Sequence, residues 1–146
     1  MKESTFLKIQ TVWPLVLGGA LYFALSPDVW AVKAVICVLH LEYHPLLNGA
    51  AIGIPAVRFI RNYGLDMLWG YALASAIRLT VCRGYAEFSD WGVLFLSFCF
   101  SGLLEVLQLF PWAAGTFDVF DIAAEWAAEF FAVIMAVKGE KIYEEK

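Results

Sequence analysis

The chain has 146 residues, a length that suits one domain. Hydrophobic residues make up 62% of it and charged residues only 16%, and its mean hydropathy is +0.71; soluble domains carry about 25% charged residues. This composition excludes an ordinary soluble domain, and a net charge of -4 without any basic cluster excludes a nucleic-acid binder.

A helix that crosses a bilayer needs about 20 mostly apolar residues. The first such stretch is 9–25, flanked by Lys8 and Asp28, with Pro14 close to its first turn, where a missing N–H costs least. Pro27 directly follows the small residues Ala24 and Ser26 and disfavours signal cleavage there, so this helix is expected to be retained. Residues 26–65 make a long connection. Its first part, "DVWAVKAVICVLHLEYH", is interrupted by Lys33, His40, Glu42 and His44 and reads as an interfacial helix. Its second part, "PLLNGAAIGIPAVRFI", is interrupted by Asn48, Gly49, Gly53 and Pro55 and reads as irregular or re-entrant.

Three further spans follow at 66–83, 91–110 and 117–137, and 138–146 reads as a solvated tail. The expectation is therefore one all-α domain over 1–146, a polytopic membrane protein built as a four-transmembrane-helix bundle. Lysine and arginine set its orientation. Lys2, Lys8, Arg78, Arg83, Lys138, Lys141 and Lys146 fall on one side, and Lys33, Arg58 and Arg61 on the other. Both termini are then cytoplasmic, in a multi-pass protein of the cell membrane.

Polar residues inside these spans are arranged in rows. On a helical wheel Asp118, Asp121, Glu125 and Glu129 fall within about 80°, and so do Ser97, Ser101, Glu105 and Gln108 on the preceding helix. The two rows flank a short connection and should face each other, with Asp66 opening the second span on the same outer side. Asp66 and Asp118 also fit as acids at helix N-termini. Glu105 and Glu125 are harder to place in that way, because a carboxylate at mid-helix depth costs about 2.5–3.5 kcal/mol on insertion scales. Such groups must be protonated, bind a cation, pair with Arg or reach water; Arg58 and Arg61 are the nearest counter-charges.

Other features carry less. His40 and His44 share a helix face, but "HLEYH" is not a zinc signature and reads as an interfacial pair. Cys37, Cys82 and Cys99 sit in apolar runs and read as buried thiols. "WGYALASA" and Ser97–Ser101 read as small-residue packing faces. No phosphate loop and no nucleophile context appears.

The run "SGLLEVLQLF…GTFDVFDIAAEW" resembles VanZ-like membrane proteins, whose hallmark is Glu-x-x-Gln ending one helix, a short turn, and two acids three apart opening the next. Glu105, Gln108, Asp118 and Asp121 match, and "YGLDMLWGYALASAI" makes Asp66 the counterpart of the family's earlier Asp. The likeness covers roughly residues 62–137. An Arg common in the family's turn is missing here, where Gly115 and Thr116 stand, and Glu125 replaces a common Asn. The resemblance implies a cell-envelope role, with a link to glycopeptide-antibiotic resistance, and a site at Asp66, Glu105, Gln108, Asp118 and Asp121, to which the helical wheel adds Glu125.

Three classes of function fit these residues. An outer acidic cleft beside Trp69, Tyr71, Trp112 and Trp126 suits an accessory protein that binds an envelope lipid headgroup or cationic peptide. A membrane-embedded hydrolase would use Glu105 or Glu125 as acid or base and the Asp pair to hold a divalent cation such as Mg2+. A proton-coupled transporter would need polar groups that continue inward, as Ser97 and Glu129 do.

Overall fold

The structure is a computed structural model that describes residues 3–25, 30–40, 54–110 and 117–144. Among these the chain is helical and forms no strand. Helix α1 is Glu3–Leu25, α2 is Trp30–Leu39 and α3 is Pro55–Phe59, which runs through a π-helical turn at Ile60–Gly64 into α4, Leu65–Cys82. Helix α5 is Asp90–Leu107 and α6 is Val119–Glu144. Three segments are long and apolar enough to cross a membrane: Thr5–Leu25, Pro55–Cys82 and Asp90–Leu107. Helix α6 is longer, at 26 residues, but carries Asp121, Glu125 and Glu129.

Exposure is inverted relative to a soluble protein. Trp91 is 76% and Phe95 72% exposed, whereas Glu129 is 0% exposed. Large apolar side chains on the outside of long apolar helices are what a lipid solvent accepts, so contact with the bilayer follows.

Helix α4 is central: it packs most extensively on α6 and on α1, and α5 packs on α6 and α4. Small residues permit this. Gly70, Ala72, Ala74 and Ser75 are the buried residues of α4, as the "WGYALASA" stretch predicts. A Cβ on Gly70 would lie 2.9 Å from the carbonyl oxygen of Glu125, so the two backbones meet there. Ala74, Val93, Leu94, Ala132 and Val133 form the apolar core beneath. Where α5 meets α6, the Phe98 and Trp126 rings stack with centroids 5.0 Å apart, and Trp126 Nε1 donates to the Phe98 carbonyl at 3.3 Å.

Local signals set the helix ends. Ser89 is the N-cap of α5, and its hydroxyl accepts from the Gly92 N–H at 3.2 Å. Ser89→Ala is expected to lower stability by about 1 kcal/mol, read as a drop in the thermal unfolding midpoint in detergent. Arg78 reaches Asp90 Oδ1 at 3.1 Å without the alignment of a hydrogen bond, a partly exposed ion pair of small worth.

The structure departs from the sequence reading in four places. Pro14 lies inside α1, not in its first turn, because the helix begins at Glu3; its missing N–H leaves the Gln10 carbonyl without that partner. Residues 55–60, the end of the stretch read as irregular or re-entrant, are helical and lengthen the second span, with Pro55 in the first turn where a helix tolerates it. The tail is helical as far as Glu144, its Lys and Glu being good helix formers. Cys82 is half-buried, while Cys37 and Cys99 are exposed on the apolar outer surface; all three are free thiols. Within the stretch read as an interfacial helix, Trp30–Leu39 is helical as α2, whereas Glu42, His44, the stretch 41–53 and the 111–116 turn with Trp112, Gly115 and Thr116 lie outside the described residues.

Candidate functional site

Three helices bring their acids to one region. The close approach at Gly70 puts α4 against α6 at Glu125. One turn earlier on each helix, Asp66 and Asp121 are within electrostatic range of each other. Helix α5 supplies Glu105, which lies in range of Asp66, Asp118, Asp121 and Glu125. Glu125 is surrounded by Asp66, Glu105, Glu129 and Asp121, all of the same sign.

Burial rises along this seam. Asp66, Asp118 and Asp121 are half-buried, Glu105 is 6% exposed, Glu125 4% and Glu129 0%. Gln108 Nε2 donates to Glu105 Oε1 at 2.6 Å, so the Glu-x-x-Gln spacing acts as a single unit across one helical turn. Glu105 Oε2 and Glu125 Oε2 are buried and receive no hydrogen bond. Ser97 and Ser101, which share the polar row of Glu105 and Gln108, are buried as well, and so is Ser75 on α4.

Asp66 and Asp118, which read alike as N-terminal acids, separate here. Asp118 Oδ1 accepts from the Phe120 N–H at 2.9 Å and its carbonyl accepts from the Asp121 N–H, so it caps α6. Asp66 has helical turns before it, because α3 and the π turn run directly into α4, and no free N-terminus is left for it to complement. Such π turns recur at functional sites, and this one sets the helix phase just ahead of Asp66.

Arg58 and Arg61 are exposed, and among the described residues neither forms an ion pair with the carboxylates. Nor do three or more His, Cys, Asp or Glu side chains among the described residues form a group able to hold a metal ion. Two buried groups escaped the sequence reading. Gln10 on α1 has an unpartnered Oε1 and Ser75 on α4 an unpartnered Oγ. Gln10 was legible as the amide one turn before Pro14 in an apolar helix, but Ser75 looks like any small packing residue.

Fold and site together define a helical protein in contact with lipid, with a carboxylate-rich seam running inward between α4, α5 and α6. Comparison with protein-family models, with curated proteins and with solved structures finds no match to this chain.

Proposed function

We propose that the chain is a VanZ-like, four-span membrane protein with both termini in the cytoplasm, whose acidic seam opens outward and binds a cationic group of an envelope ligand. An amine-bearing lipid headgroup fits this best, and a role in the cell envelope or in glycopeptide resistance follows from the family resemblance. The observation that carries the reading is the grouping of Asp66, Glu105, Asp121 and Glu125 from three helices, with carboxylates as their charged neighbours among the described residues. Like charges held together in low dielectric favour whatever brings positive charge to them. Asp66 and Asp121, half-buried at the outer end, are the groups that meet the ligand first, and the Gln108–Glu105 pair sits behind them.

The test is direct binding of short-chain phosphatidylethanolamine and phosphatidylglycerol to the detergent-purified protein, followed by tryptophan fluorescence. The amine headgroup should bind in preference to the anionic one, and Asp66→Asn with Asp121→Asn should weaken it about tenfold or more. Preference for the anionic lipid, or unchanged binding in the double variant, would overturn the reading.

A further inference from the structure

Two joined depressions lie at the start of the second span, beside the acidic seam. One is a groove of about 370 Å3 between the α3–α4 segment and α6. Phe59, Tyr63 and Met67 line it at successive turns of the first helix, and Phe120 lines it from α6. Ala123, Ala124 and Ala127 leave the room between them. Asp66 nears Asp121 and, one turn on, Gly70 meets Glu125, so the two helices run in the same direction. The groove therefore follows the helix axes, which is also how acyl chains lie. The other depression, of about 310 Å3, is lined by Pro55, Arg58, Phe59, Asn62 and Tyr63. The two share Phe59 and Tyr63, whose ring centroids are 5.2 Å apart. A guanidinium and a carboxamide thus stand at the mouth of an apolar groove.

Depth and charge say what fits there. The second span has 28 residues, roughly 42 Å at 1.5 Å per residue, whereas the hydrocarbon core is about 30 Å thick. About one turn at each end therefore reaches the headgroup layer, and Arg58 lies in the first turn. Arg58 and Asn62 are exposed, and Arg58 forms no ion pair among the described residues. A guanidinium matches two phosphate oxygens at once, and a carboxamide adds N–H donors. Further in, Met67 and Phe120 adjoin Asp66 and Asp121 in the chain, so the groove passes the outer end of the seam. An amine-bearing headgroup brings a phosphate only a few bonds from its amine, and carboxylates alone would repel that phosphate. Arg58 supplies the opposite sign.

We infer that Arg58, with Asn62, holds the phosphate of a glycerophospholipid from the surrounding leaflet, and that one acyl chain of this lipid lies in the groove, past Tyr63 and Met67 to Ala127. The inference rests on the reading of the chain as a lipid binder and adds where the phosphate and the chain of that lipid sit. The phosphate contact is common to phospholipids. The acids of the seam then choose among headgroups by charge.

Binding of three probes to the full chain in detergent, followed by tryptophan fluorescence, tests it: short-chain phosphatidylethanolamine, short-chain phosphatidylglycerol, and decylamine, which has a chain and an amine but no phosphate. Arg58→Gln should weaken both phospholipids about tenfold and leave decylamine within about twofold of the wild type. Arg61→Gln, an equal loss of charge at an exposed residue that does not line the depression, should change none of them by more than about twofold. Ala127 is exposed, so Ala127→Phe fills the groove without entering the core and should weaken all three probes. Unchanged phospholipid binding in Arg58→Gln overturns the inference, and so does an equal loss in Arg61→Gln, which would make the attraction one of diffuse charge. Unchanged phospholipid binding in Ala127→Phe overturns it as well. Equal binding of the two phospholipids by the wild type, with the Arg58→Gln loss intact, upholds the phosphate site and overturns the amine reading of the seam.

Discussion

Replacing Gly70 by valine is expected to cause a large loss of stability. The physical cause is the approach of two backbones: a Cβ at Gly70 would stand 2.9 Å from the Glu125 carbonyl oxygen and 3.1 Å from its Cα. Neither atom is the movable end of a side chain, so α4 and α6 must separate. Overpacking of this kind costs about 1–3 kcal/mol, and the branched side chain of valine places Gly70→Val at or above the upper end. Gly70→Ala should lie lower in the same range, since it adds only the Cβ. Thermal unfolding in detergent gives the ranking, and the tryptophan signal from the stacked Trp126 should report loosening of the α5–α6 contact. A valine variant as stable as the wild type would mean that α4 and α6 are not held this close. In that case Asp66 and Asp121 would have no reason to meet.

The second large effect has the opposite sign. Glu125→Gln is expected to stabilise the protein by about 1–3 kcal/mol when no ligand is bound, and to weaken binding at the outer cleft. Glu125 is 4% exposed, its Oε2 accepts nothing, and its charged neighbours are Asp66, Glu105, Glu129 and Asp121. At an alkaline pH that ionises Glu125, removing a buried charge that has no counter-charge among the described residues, while keeping the volume and one acceptor oxygen, relieves desolvation and like-charge repulsion together. Gain of stability on loss of a functional group marks a site kept for what it binds. The measurement is the unfolding midpoint of both proteins at matched pH and salt, with amine-headgroup binding measured alongside. A destabilised Glu125→Gln would show that the charge is already balanced by a partner, and the seam would then be structural.

Much of the site was legible before folding. A period of 3.6 residues puts Asp118, Asp121, Glu125 and Glu129 on one side of a helix, and Ser97, Ser101, Glu105 and Gln108 on one side of another. The structure buries the inner members of both rows, and the Gln108–Glu105 hydrogen bond follows directly from their spacing. What stayed hidden depended on where helices begin. Asp66 looked like an N-terminal acid because Pro55, Gly53 and Gly49 suggested broken backbone before it, whereas the chain is already helical from Pro55. Pro14 looked like a first-turn residue because the start of α1, from Glu3 to Lys8, sets only Phe6 and Leu7 among polar residues and so falls outside the continuous apolar run. The cysteines looked buried because apolar runs are buried in water-soluble folds, while here such runs face outward.

Composition and periodicity by themselves determined that this chain is helical and apolar, and which face of each helix is polar, because these are properties of one segment and its nearest neighbours along the chain. Pairing between helices is a property of shape. Only the tertiary structure decided that Gly70 meets the Glu125 backbone, that Asp66 comes to Asp121, and that Glu129 is fully enclosed. A glycine marks a gap without saying what fills it, and a carboxylate on a wheel has a direction but no neighbour until another helix closes over it.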